Sequence, residues 1–331
     1  MSCRPLAARI FLFLVGLAVV AWPAIASAQA PSRMPAIEAP LAPNGATTGV
    51  VTSSSVTAAT AAEIAQLEQM GVISDPSWWC WQLMPGGLMY RSYLAGTREP
   101  RLGSQIVHIS GHGWVWDATA GARVGLIRFG TPDDGWPEGW QLDVEGAAFP
   151  RMDMESHQDM VSADFRAGIP LTYRRGMWEA KIGYYHLSSH LGDEYIIDDP
   201  AVMATRDNYD RETLIAGIGF RPVPSIRLYG ESGYAFSRSG LTRPWEFQCG
   251  VEYSPIEPIG RSGAPFLAVN GHLRQENDFG GNLVVQTGWQ WRGRTGQLLR
   301  TGVQYFNGKS DQCQFVQDSE QQIGWGLWYD F

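Results

Sequence analysis

The chain has 331 residues, a formal net charge of −8 and only 18% charged residues. The acidic balance argues against a nucleic-acid partner. The mean hydropathy of −0.17 hides any segregation of apolar and polar faces, and 14 Trp, 12 Tyr and 13 Phe are a heavy aromatic load.

The first residues carry Arg4 and Arg9, then an apolar run from Ile10 to Ile25, then Ala26-Ser27-Ala28. A positive start, an apolar middle and small residues at the end make an export signal, with cleavage expected after Ala28. No Cys follows the run, which argues against a lipoprotein. Residues 29–75 begin rich in Pro, Ala, Thr and Ser and are expected to form a flexible linker, with a short helix over 61–70. Beyond the signal no stretch reaches the ~18 apolar residues a spanning helix needs. Cys80, Cys249 and Cys313 remain after cleavage, an odd number with no metal or redox spacing.

From residue 76 the pattern is of strands. Runs with a period of two, separated by turn residues, are expected at 104–116, 121–130, 139–149, 160–173, 177–190, 211–221, 225–237, 244–254, 264–275, 281–292, 296–307 and 321–331. Leu88 to Gly96 is read as one further strand at most. In 244–254, Trp245, Phe247, Cys249, Val251 and Tyr253 alternate with Glu246, Gln248, Gly250 and Glu252. In the last run Ile323, Trp325, Leu327, Tyr329 and Phe331 share one face. One greasy face per strand, an aromatic terminus and an export signal together predict an all-β protein. The expected architecture is a transmembrane antiparallel up-and-down barrel of about twelve strands (ten to fourteen) in the bacterial outer membrane. With the C-terminus on the periplasmic side, the long connectors 191–210 and 308–320 fall outside and the short ones at 174–177, 222–225 and 292–296 fall inside. The strand ending at Phe331 is the segment that barrel-insertion machinery is expected to read, and membrane lipids are the expected partners.

Several segments resemble an uncharacterised bacterial family, domain of unknown function 1207. They are Arg91-Ser-Tyr-Leu-Ala-Gly96, Gly121-Ala-Arg-Val-Gly-Leu-Ile-Arg128, Asp143-Val-Glu-Gly-Ala-Ala-Phe-Pro150, Ile169-Pro-Leu-Thr-Tyr-Arg-Arg-Gly176 and Gly183-Tyr-Tyr-His-Leu-Ser-Ser-His-Leu-Gly-Asp-Glu194. The resemblance covers residues 88–331 and brings no activity with it.

On run 177–190, Glu179 and Lys181 share the odd face, and a Lys against lipid near the midplane costs ~2–4 kcal/mol. The even face therefore points to the bilayer, carrying His186 and Ser188 toward the outer end. A base two residues from a hydroxyl on one strand face is ~7 Å away along the backbone, which side chains can close. This His-x-Ser is similar to that of the outer-membrane phospholipase A and lipid A deacylase barrels, which carry it on an outward face. The resemblance implies a serine-dependent lipid acyl hydrolase with Ser188 as nucleophile and His186 as base. Where the phospholipase pattern continues with Asn, this chain has Ser189. Glu212 is the first candidate to orient the imidazole, and Asp159 the second. Asp193, Glu194, Asp198 and Asp199 offer the oxygen ligands calcium takes but are read as a solvated acidic loop. No cofactor or metal is assigned.

The alternative is a non-enzymatic barrel, structural or serving as a narrow solute channel. His108, Ser110 and His112 are expected to face the lumen, because Val107, Ile109 and Val115 set the other face outward. With Asp143, Glu145, Asp164, Arg166, Glu231, Glu246, Glu252, His272 and Arg274 they would form a charged interior. Such an interior locks a small barrel through paired charges, with a metal site on His108 and His112 as the rarer alternative.

Overall fold

The computed structural model describes residues 79–331 apart from 134, 205, 260 and 261. The expected export signal and nearly all of the expected linker, with its short helix, lie outside the described residues. The strands are β1 (Cys80–Leu83), β2 (Leu102–Ile109), β3 (Gly113–Gly130), β4 (Gly139–Asp153), β5 (Asp159–Arg175), β6 (Trp178–Leu191), β7 (Asp210–Val223), β8 (Ile226–Ser239), β9 (Trp245–Tyr253), β10 (Ala264–Arg274), β11 (Gly281–Arg292), β12 (Leu298–Lys309) and β13 (Ser319–Asp330). From β2 onward each strand pairs antiparallel with the next, and β13 closes on β2. The result is a closed twelve-strand barrel, the closure that strands need to satisfy their backbone groups in lipid. The alternation seen in the sequence is the alternation of its two faces. Trp245, Phe247 and Val251 are 41%, 39% and 41% exposed on the outer wall. Between them Glu246 points inward to Arg211 and His272.

One end of the barrel carries the tight connectors 176–177, 224–225 and 293–297. The other carries the long ones, 192–209 with its single-turn helix α1 (Asp193–Asp198), and 310–318. Three expectations are corrected. The turn between the first two wall strands is at 110–112, where Gly111 and Gly113 have φ of 81° and 109°, a conformation that needs glycine. That turn separates β2 from an eighteen-residue β3. Val107, Ile109 and Val115 are buried inside and His108 lies on the outer wall, its ring 5.2 Å from that of Trp114. The face assignment fails here because both faces of these strands are apolar, Val107, Ile109 and Val115 inward and Ile106 and Trp114 outward. The third correction concerns Leu88 to Gly96, which is not a strand.

Residues 85–101 instead fill the lumen. β1 runs along the short-turn end of β3, continued by Met84 N to Leu126 O. The chain then leaves the wall and returns at Arg101, whose carbonyl accepts from Gly121 N. Leu88, Met89, Tyr90, Tyr93, Leu94 and Ala95 are all buried. Tyr93 stacks on Tyr229 at 3.8 Å and donates to Glu231 at 2.9 Å. Leu94 N donates to Glu252 at 2.7 Å, and its carbonyl accepts from Arg101 at 2.7 Å and Arg300 at 3.1 Å. From the opposite end the 310–318 loop enters the lumen, with Cys313 N on Asp164 at 3.1 Å and Gln314 on the Ser189 carbonyl at 3.0 Å. The two insertions meet where Arg98 reaches the Cys313 sulfur at 3.6 Å.

Around them the inward strand positions form charge pairs as the sequence suggested. Arg123 holds Asp143 at 2.7 Å, Arg166 holds Glu145 at 2.9 Å and Lys181 holds Glu231 at 2.5 Å. Pairing of this kind offsets much of the cost of burying a charge. The loop-end half of the lumen holds a cavity of about 30 Å³, room for a single water, and a larger one of about 210 Å³ at the rim, lined by Ile109, Val115, Arg151, Val161, Tyr195 and Glu320 among others.

The loop Cys313 is enclosed, and burial first, then the neighbouring Asp164 carboxylate, pushes its thiol pKa up. A raised pKa means less thiolate at any given pH, and the thiolate is the reactive form. Maleimide at pH 8 is therefore expected to label the exposed Cys80 while leaving Cys313 unmodified until the barrel is unfolded. Peptide mapping showing Cys313 labelled as fast as Cys80 would contradict the inserted loop.

Candidate functional site on the outer wall

β6 places Trp178 and Ile182 outward and buries Glu179 and Lys181, so its even positions face the bilayer. The β6–β7 register sets His186 opposite Glu212 and Ser188 opposite Asp210. Directly opposed residues of an antiparallel pair are the closest neighbours a sheet offers. His186 Nδ1 lies 2.9 Å from Glu212 Oε1. The other Glu212 oxygen accepts from the Tyr184 hydroxyl. Both oxygens of the carboxylate are thus engaged, which fixes its rotamer. A hydrogen bond from Nδ1–H to a carboxylate leaves Nε2 as the basic nitrogen of the ring. Nε2 lies 3.9 Å from Asp210 Oδ2. The side chains of His186 and Glu212 are 26% and 27% exposed.

The structure brings His186 and Glu212 together and puts Ser188 beside them on the same face. Among the described residues the Ser188 hydroxyl makes no hydrogen bond, so it is free to turn. Asp159 is not part of the group. The β5–β6 turn is the two residues Gly176 and Met177, so Phe165 stands opposite Ser188, and Asp159 pairs with Asp153 on β4. Asp210 and Tyr184 are members that sequence reasoning missed. Both share the outward parity of Glu212 and His186, the one signal that could have found them.

Below this group Ile182, Leu214, Ile218 and Phe236 are exposed on the wall, an apolar surface suited to acyl chains. Asp210 and Glu212 are the first and third residues of β7, so the carboxylates sit at the rim, where the cost of charge falls toward zero. One atom from each of His186, Asp210 and Glu212 lies within 4.8 Å of the others. A nitrogen with two carboxylate oxygens is a donor set that suits zinc or a similar borderline cation. The expected pair His108 and His112 belongs to no such group among the described residues.

The closed antiparallel wall, apolar outside and ionic inside, defines a protein of the bacterial outer-membrane β-barrel class. The chain belongs to the family described as protein of unknown function DUF1207, whose model matches residues 46–331. No curated protein sequence matches it. Among solved structures, it is similar to the calcium-bound dimer of the Salmonella typhi outer-membrane phospholipase, at 11% identity, covering 72% of this chain and 94% of that one with a TM-score of 0.50. It is also similar to outer-membrane phospholipase A from Escherichia coli (10% identity, 70% and 93% coverage, TM-score 0.47). A third similar structure is the KdgM porin in complex with disordered oligogalacturonate (9% identity, 70% and 99% coverage, TM-score 0.40). At such identities the likeness is one of fold.

Proposed function

We propose that this chain is a serine-dependent lipid acyl hydrolase whose site opens sideways into the outer leaflet at the long-loop rim. The observation that carries the reading is the His186–Glu212 hydrogen bond of 2.9 Å on the lipid-facing wall, two residues along β6 from Ser188. In the reaction, His186 Nε2 takes the Ser188 proton as Oγ attacks the ester carbonyl of a phospholipid or lipopolysaccharide acyl chain. The C–O bond to the glycerol or sugar oxygen breaks, and that oxygen leaves with the proton from His186. Water then attacks the acyl-serine by the same route in reverse, releasing the fatty acid. Glu212 holds the tautomer and balances the imidazolium. Tyr184 holds Glu212.

The inserted segments support a wall site over the rival solute channel, since Tyr90, Tyr93, Leu94 and the 310–318 loop occupy the lumen. Export through a cleaved signal and recognition of the Phe331 strand by insertion machinery complete the proposal.

The test is covalent capture. Long-chain alkyl sulfonyl fluoride added to the detergent-solubilised protein is expected to sulfonylate Ser188 with loss of fluoride, read by intact mass and peptide mapping. An adduct confined to other residues, or none, would overturn the assignment.

A further inference from the structure

The tight-turn end of the barrel holds a second charged group that the wall site does not use. Trp136, in the turn between β3 and β4, is surrounded by guanidinium groups. Arg174 lies 3.2 Å from its ring centroid, Arg221 5.1 Å and Arg91 5.7 Å. Arg91 and Arg221 also line a cavity of about 20 Å³ with Arg292, Ser92 and Ser254.

Most arginines elsewhere in this lumen meet a carboxylate, but here the balance fails. Glu179 is shared between Arg221 and Arg227. The two acids at the cavity are already engaged, Glu252 by Leu94 N and Arg227, and Asp330 by Arg300 and Arg101. Arg91, Arg174 and Arg292 have no carboxylate partner among the described residues. Arg174 is 1% exposed, and its Nη2 and the Nε of Arg292 are buried without any hydrogen-bond partner. Burial, then the like charges of Arg292, Arg221 and Arg174, pull the pKa of Arg91 well below the usual arginine value.

The group is nevertheless built rather than loose. Arg91 Nη2 donates to the Gly135 carbonyl at 3.0 Å, and Arg292 Nη2 to Ser254 Oγ at 2.8 Å. A Cβ on Gly296 would fall 1.9 Å from Arg91 Nη2, so only glycine lets that side chain take its place.

Uncompensated buried cations are costly, and forked guanidinium donors match tetrahedral oxyanions. We propose that the open mouth of this cavity binds a phosphate group, with Arg91 and Arg292, which line it, as its ligands.

Calorimetry on the full-length protein in detergent tests it, with sodium phosphate against sodium chloride at matched ionic strength. Saturable heat is expected for phosphate alone, with affinity at least tenfold weaker in Arg91→Gln and in Arg292→Gln. Heat-modifiable migration on gels identifies whichever variant keeps its fold. A second arm uses micelles doped with phosphatidic acid against phosphatidylcholine. Response to phosphatidic acid alone assigns the phosphate to a lipid headgroup, and response to inorganic phosphate assigns it to a free ion. No heat from either phosphate-bearing probe, or binding unchanged in both variants, would overturn the site.

Discussion

Replacing Ser188 by Ala is expected to lower lipid acyl release by on the order of 10³-fold or more while leaving the barrel folded. Removing a nucleophile of this kind leaves only the catalysis that binding and local electrostatics supply. The fold should tolerate it, because Ser188 faces outward and its hydroxyl has no hydrogen bond to lose. Such surface changes stay within about 0.5 kcal/mol. The neighbours should fall in order. Glu212→Gln puts an amide donor against Nδ1 and favours the wrong tautomer, for a loss of about 10²-fold or more. Tyr184→Phe removes one hydrogen bond to a charged acceptor, about 1.5–3 kcal/mol, and loosens Glu212 without removing it; a loss of roughly tenfold is expected. Release measured against time with long-chain phospholipid in mixed micelles checks the series. Activity in Ser188→Ala equal to that of the unaltered chain removes the nucleophile assignment, and a Tyr184→Phe loss as large as that of Glu212→Gln would contradict the supporting role.

Excision of the lumen segment should have a comparably large effect on permeability. Met84 and Arg101 leave and rejoin the edge of β3 opposite Leu126 and Gly121. The wall between them spans only the positions opposite Ala122, Arg123, Val124 and Gly125. Four extended residues at ~3.4 Å each bridge that stretch. Substituting a four-residue strand for Pro85–Pro100 would therefore heal the wall and remove Tyr90, Tyr93 and Leu94 from the interior. In planar bilayers the intact chain is expected to be silent and the shortened chain to give discrete conductance steps. Equal steps from both would show that the segment does not block the lumen. Silence from a correctly folded shortened chain would show that the 310–318 loop and the charge pairs fill it without help.

Much of this architecture was legible because a barrel strand writes its two environments alternately along the chain. The β9 alternation from Trp245 to Tyr253 and the parity of Glu179 and Lys181 on β6 were enough to orient those walls. The same parity put His186, Ser188 and Glu212 on one face. β2 was misread because Val107 and Ile109 pack inward beneath the rim while Ile106 and Trp114 face lipid, so both faces are apolar and alternation loses its meaning. Asp210 shares the outward parity of Glu212, but only the register sets it opposite Ser188. The two-residue Gly176–Met177 turn sets the β5–β6 register, placing Phe165 opposite Ser188 and Asp159 out of range. The lumen segment left no periodic trace, because its stability comes from distant partners. Tyr229, Glu231, Glu252 and Arg300 are all more than a hundred residues away in the chain.

The account rests on outward-facing chemistry at Ser188, and membrane lipid composition reads it most directly. Outer membranes from cells making the unaltered chain are to be compared by mass spectrometry with those from cells making equal amounts of Ser188→Ala. Lysophospholipid or under-acylated lipid A is expected to accumulate only with the unaltered chain. Identical lipid profiles under conditions where both barrels are folded and inserted would contradict it.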